Sequence, residues 1–169
     1  MVAPLSPSQE DYLETIYQIG LKKRAVRSKD IARSMKVTRP SVTGALQSLA
    51  EKGLIQYEPY EFITLTPKGL IAARRVVRRH TVMHDFLTKV LGICRAEAEE
   101  QACRLEHAIS GDLTRRLALF VEFLESCPEG IEAWAERFNC FRVGRRAECV
   151  CEASTLHAAA PKSADSKSK

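Results

Sequence analysis

Residues 28–53 read SKDIARSMKVTRPSVTGALQSLAEKG, and this stretch decides the fold. Its apolar residues recur at helical spacing in two runs, Ile31 and Met35 first, then Val42, Leu46 and Leu49. Val37 and Thr38 make a tight connection between the runs. Ser28 and Thr38 carry hydroxyls suited to capping the two helices, and Pro40 fits the first turn of the second. Gly53 stands where a helix commonly ends. Two short amphipathic helices joined this tightly predict a helix-turn-helix, whose second helix enters the major groove of DNA.

The neighbouring residues extend that reading. Upstream, SPSQEDYLETIYQIG places Tyr12, Ile16 and Ile19 on one helical stripe, with Leu13 and Tyr17 alongside and Gly20 at the expected end. Downstream, LIQYE and FITLT alternate in the β manner around PYE, which predicts a hairpin. Three helices followed by a hairpin form a winged helix-turn-helix. Thr66-Pro67 then opens a long helix running to Gly92, and three further helices are expected over 95–109, 111–126 and 129–138. The expected fold class is therefore mainly α. It comprises a winged helix-turn-helix over residues 1–75, an all-helical unit over 76–140, and a Cys-containing segment with a disordered tail over 141–169. Leu113, Leu117, Phe120, Val121 and Leu124 line one side of the 111–126 helix, as either a dimer interface or an internal core.

Charge is unevenly distributed. Residues 1–80 hold 14 Lys/Arg against 7 Asp/Glu, whereas the remainder holds 12 against 14. A basic N-terminal half suggests a polyanionic partner. No stretch approaches the roughly 18 apolar residues of a membrane span. MVAPLSPSQEDYLE lacks the basic and apolar regions of a secretory signal, so a cytoplasmic location and no membrane partner are expected. In that compartment the six cysteines are expected as thiols or metal ligands rather than disulfides.

The DNA-facing candidates follow from the second helix of the pair: Thr38, Arg39, Pro40, Ser41, Thr43 and Gln47, with Gly44 beside them. Arg39 can reach a guanine edge or a phosphate, Gln47 suits adenine, and Pro40 offers apolar contact to a thymine methyl. Arg27, with Lys22, Lys23, Arg24 and Lys29, supplies sequence-independent phosphate contacts.

A second set of residues belongs to different chemistry. In CRLEHAIS, residues 103–110, Cys103, Glu106 and His107 fall at i, i+3 and i+4, so a helix would set them on one face, with Glu99 one turn earlier. Asp11 and Glu14 share a face of the first helix, and His80 and His84 share a face of the long one. Imidazole, carboxylate and one thiolate make a donor set for a divalent first-row metal. Cys127, Cys140, Cys149 and Cys151, with His157, are candidates for a separate structural zinc site, although the CVC spacing is unlike the usual zinc knuckle.

Taken together, EDYLETIY, the winged helix, RRH and CRLEHAIS resemble the diphtheria-toxin-repressor family, including its manganese-transport-regulator branch, over about residues 8–126. The resemblance implies a homodimeric, metal-activated repressor that binds a palindromic DNA operator. It implies metal ligation by Asp11, Glu14, His80, Cys103, Glu106 and His107, with His84 and Glu99 at the positions of a second site. One or two ions per subunit are thus expected. Cys103 matches the iron branch, and Asp11 and Glu14 match the manganese branch. The thiolate favours Fe(II), with Mn(II) next. Two other classes stay open on the residues alone. One is a metal-independent winged-helix regulator answering to thiol oxidation or an organic ligand; the other is a small metal or thiol hydrolase, for which no Gly-rich loop or oxyanion motif is present.

Overall fold

The computed structural model describes residues 5–23, 25–58 and 61–144. Helix α1, Pro7–Lys22, opens on a capping box: Ser6 Oγ accepts from Gln9 N while Ser6 N donates to Gln9 Oε1. Gln9 also donates to Ser48 Oγ at 2.9 Å, which ties α1 to the helix over Arg39–Glu51. Gly20 does not end α1. It is helical, and the helix continues two residues to Lys22, with Lys23 N closing on Ile19 O.

Helix α2, Ser28–Met35, and helix α3, Arg39–Glu51, form the expected pair. The N-cap of α2 is Arg27 rather than Ser28, and no side chain caps it. The backbone is already extended there because Ile63 N bonds Val26 O at 2.9 Å. Between the helices Lys36 takes the left-handed conformation, φ 55°, which permits the tight link. Thr38 caps α3 by accepting from Ser41 N. Val42, Leu46 and Leu49 are fully buried and meet Leu13, Ile16 and Ile31 in one core.

The wing is shorter than its alternating pattern predicts. Strands β1, Ile55–Gln56, and β2, Thr64–Leu65, pair antiparallel with Ile55 opposite Leu65. Helix α4, Pro67–Asp85, starts against the wing base: Thr66 Oγ1 accepts from Gly69 N and donates to Gly53 O and Leu54 O. α4 runs unbroken past residues 75 and 76, then passes into a π-helical turn, Phe86–Val90. The widened turn is bridged by Thr88 Oγ1, 2.8 Å from His84 O.

Helices α5, Arg95–Leu105, α6, Gly111–Ser126, and α7, Gly130–Arg142, pack around the end of α4 through two smaller apolar clusters. One is built on Met83, Leu87, Ala98 and Ala102, the other on Val121, Leu124 and Ile131. Of the α6 stripe, Val121 and Leu124 are buried, whereas Leu113 and Phe120 are exposed beside Leu119 and Phe123. Trp134, Phe138 and Phe141 leave α7 with a similarly apolar outer face. Among the described residues, no helix is long and apolar enough to cross a membrane.

Candidate metal centre

α1 and α4 pack against each other, and α5 lies on α4, so the polar faces of all three converge. α5 ends at Leu105, one turn short of the expected 109, so Glu106 and His107 follow the helix instead of lying within it. Glu106 nevertheless keeps helical dihedrals, φ −58° and ψ −30°, and its N–H still bonds Ala102 O. It therefore points where the helical spacing aimed it. The chain turns at His107 and brings that ring against α1.

Asp11, Glu106 and His107 each offer a ligand atom, and the three atoms lie within 4.8 Å of one another. His107 Nε2 is 2.8 Å from Asp11 Oδ1 and 3.4 Å from Glu106 Oε1. Glu106 is wholly buried; its Oε2 accepts from His80 Nδ1 at 2.7 Å, while its Oε1 has no hydrogen-bond partner. A buried carboxylate oxygen left without a donor costs free energy unless something positive meets it.

The other expected ligands surround this trio. Glu14 sits near Glu106, and burial first, then the Glu106 charge, push its carboxyl up to about 7. The hydrogen bond to Glu106 is the main cause that raises His80 to about 9; burial opposes it, and Glu99, 3.3 Å from Nε2, adds to it. Burial is the largest influence on His107 and lowers it, yet Glu10, Asp11 and Glu106 together carry it above its ordinary value. Cys103 is exposed at the edge, its thiol raised by burial and by the carboxylates of Glu106, Asp11, Glu14 and Glu99. His84 lies apart from the trio. Its ring stacks on His80 with centroids 6.4 Å apart, and its Nδ1 is 3.8 Å from Asp85.

Sequence reasoning missed Glu10. Its Oε2 accepts from His107 Nδ1 at 2.7 Å and from Arg79 Nη2 at 2.6 Å. The signal was available in principle, because a ring nitrogen turned away from a metal needs an acceptor. Among the described residues Cys127 and Cys140 are free thiols; Cys149, Cys151 and His157 lie outside them.

Of the residues expected to face DNA, Arg39, Pro40, Ser41 and Gln47 are exposed along α3. The Thr38 hydroxyl is occupied in capping and that of Thr43 donates to Arg39 O, so both hydroxyls already have partners. The Arg27 guanidinium lies 5.0 Å from the centroid of the Phe62 ring, on a concave surface shared by α2, α3 and the wing. Lys23 is paired with Asp30 at 2.7 Å, and Arg24 lies outside the described residues.

Two family models match. Residues 4–62 fit the iron dependent repressor N-terminal DNA binding domain, and residues 66–135 fit the iron dependent repressor metal binding and dimerisation domain. An HTH-type transcriptional regulator of Methanocaldococcus jannaschii, named as uncharacterised, is 38% identical over 119 residues, 70% of this chain and 95% of that protein. The HTH-type transcriptional regulator MntR of Lysinibacillus sphaericus is 35% identical over 124 residues, 73% of this chain and 88% of its own. Among solved structures, that of the manganese regulator SloR gives a TM-score of 0.63 at 31% identity, covering 74% of this chain and 58% of its own. That of T. acidophilum IdeR gives 0.62 at 27% identity, covering 76% and 59%. The chain thus spans rather more than half the length of these solved structures.

Proposed function

Because the chain belongs to the iron-dependent repressor family, whose members are metal-dependent transcriptional regulators and not enzymes, we propose that it represses by binding a palindromic operator as a homodimer once a divalent first-row metal joins α1 to the turn after α5. The observation that carries this reading is Glu106, fully buried with one oxygen unpartnered, facing Asp11 from α1 and His107 from its own turn. A donor set of carboxylate and imidazole suits such a cation. When bound, the ion would supply positive charge to a cluster of acids beside which Glu14 and His80 hold their protons more tightly than usual.

The residues divide the work. Asp11 and Glu14 are carried by the first helix of the DNA-binding unit, and Cys103, Glu106 and His107 by α5 and its following turn. Holding both sets to one point orders α1 and fixes how far apart two α3 helices stand in a dimer, the spacing that operator half-sites require. Selective binding to that ordered state shifts the population toward it. His80 joins the centre beside Glu106; a second ion would be held by Glu99, 3.3 Å from His80 Nε2, and by His84, stacked on His80. Cys103 inclines the centre toward Fe(II) and the carboxylates toward Mn(II).

The test is operator binding measured anaerobically against Fe(II) and Mn(II) titrations with a chelator control. Affinity that rises with metal and collapses with chelator is expected, and Glu106→Ala removes the response. Operator binding by Glu106→Ala that is unchanged and indifferent to chelator overturns the proposal.

A further inference from the structure

Two consecutive residues of α1 hold the two nitrogens of one imidazole ring. Asp11 approaches His107 Nε2 at 2.8 Å, and Glu10 accepts from Nδ1 at 2.7 Å. Both Glu10 and His107 are largely shielded, their side chains 17% and 13% exposed. Carboxylates face both ring nitrogens and can only accept; a cation taken up on the Asp11 and Glu106 side would displace the proton from Nε2 and leave Nδ1–H donating to Glu10. Glu10 is itself held by Arg79 of α4, at 2.6 Å on the same oxygen. The ring is thus oriented by a chain of contacts, α4 to α1 to the turn after α5.

We propose that Glu10 is the positioning residue of the metal centre: it fixes the tautomer and rotation of His107, and through Arg79 it couples that ligand to α4. The inference rests on the metal-centre reading above. Glu10 would not touch a cation held by Asp11 and Glu106, because its acceptor oxygen lies between His107 Nδ1 and Arg79 Nη2. An acid whose only task was to attract the helix N-terminus would not need both partners.

The full chain, stripped of metal, is titrated with Co(II) and followed by its visible absorption, alongside thermal unfolding in chelator. Loss of a carboxylate that orients a ligating histidine costs about 10–100-fold in metal affinity. Glu10→Ala is expected to weaken Co(II) binding by that factor and to change the absorption band shape. Glu10→Gln, which keeps an acceptor oxygen at the same reach, should recover most of the affinity. On the wild type itself, the ¹⁵N spectrum of the Co(II)-free and Zn(II)-loaded protein should place the His107 proton on Nδ1 in the loaded state. Glu10→Ala binding within about twofold of wild type, or a proton on Nε2 in the loaded wild type, overturns the inference and leaves the proposed function standing. A wild-type chain with no affinity for Co(II) or Zn(II) overturns both.

Discussion

Glu106 reaches His80 with one oxygen, 2.7 Å from Nδ1, and offers the other to no donor. The pair joins α4 to the turn after α5, and it makes the centre's charge depend on protons whenever a cation is absent.

Stability without metal should fall as pH rises. Burial and Glu106 raise Glu14 from 4.5 to about 7, and the hydrogen bond to Glu106 raises His80 from 6.5 to about 9. In both cases the folded chain holds the proton more tightly than the unfolded one. The stability so contributed is fully present below the unfolded values and is lost as pH climbs through the folded ones. Melting temperature in chelator should therefore decline between about pH 5 and pH 9, and Glu14→Gln should flatten the lower part of that decline.

Metal loading should show the opposite slope. Ligands must give up protons to bind a cation, so the gain in melting temperature on adding Mn(II) should grow from pH 6 toward pH 8.5. Calorimetry in buffers of different ionisation enthalpy would count the protons released; a gain independent of pH would contradict the assignment of Glu14 and His80.

Cys103 should set metal preference. Replacing its thiol with a carboxylate, Cys103→Glu, removes the one soft donor from the set. The ratio of Co(II) to Mn(II) affinity is expected to drop by about tenfold or more, read by competition against a chelating dye.

Gly69 should tolerate no side chain. A Cβ there would lie 1.8 Å from Leu54 O, a backbone atom at the wing base. Gly69→Ala is expected to cost at least about 2 kcal/mol, measured by urea unfolding, because α4 must back away from the wing to admit the methyl.

The exposed apolar face of α6 should carry the dimer. Leu119, Phe120 and Phe123 are all more than two-fifths exposed in one chain. Phe123→Glu is expected to yield a monomer by sedimentation while retaining metal affinity, since α6 supplies no residue to the trio. Operator affinity should fall with it, because one half-site alone is then engaged.

The winged helix was legible because its signals are local. Thr38 as cap, Pro40 in the first turn, Gly53 with φ 66° and the Val42, Leu46, Leu49 stripe each act within a few residues. The misreadings have different causes. Gly20 costs about 1 kcal/mol in a helix interior, less than the packing of α1 on its neighbours supplies, so the helix runs on to Lys22. Ser28 lost the cap position because pairing of Val26 with Ile63, a contact across the wing, sets the backbone ahead of it. The candidate metal cluster was legible only in outline. The helical spacing of Cys103, Glu106 and His107 aimed Glu106 correctly even though α5 stops at Leu105. Glu10 escaped notice because it lies one residue, about 100°, around α1 from Asp11, and only the placement of His107 brings both to the same ring.

α4 has its first turn locked to the carbonyls of Gly53 and Leu54 through Thr66, and it carries Arg79 and His80 further along the same unbroken helix. Gly69 and His80 are separated by roughly 16 Å of continuous helix with no joint between them. A chimera that exchanges the DNA-reading half with that of a relative should therefore be spliced ahead of Thr66, which keeps the cap, Gly69 and His80 from one parent. A junction inside α4 would inherit the wing seat from one parent and the histidine from the other, with their relative rotation left to chance.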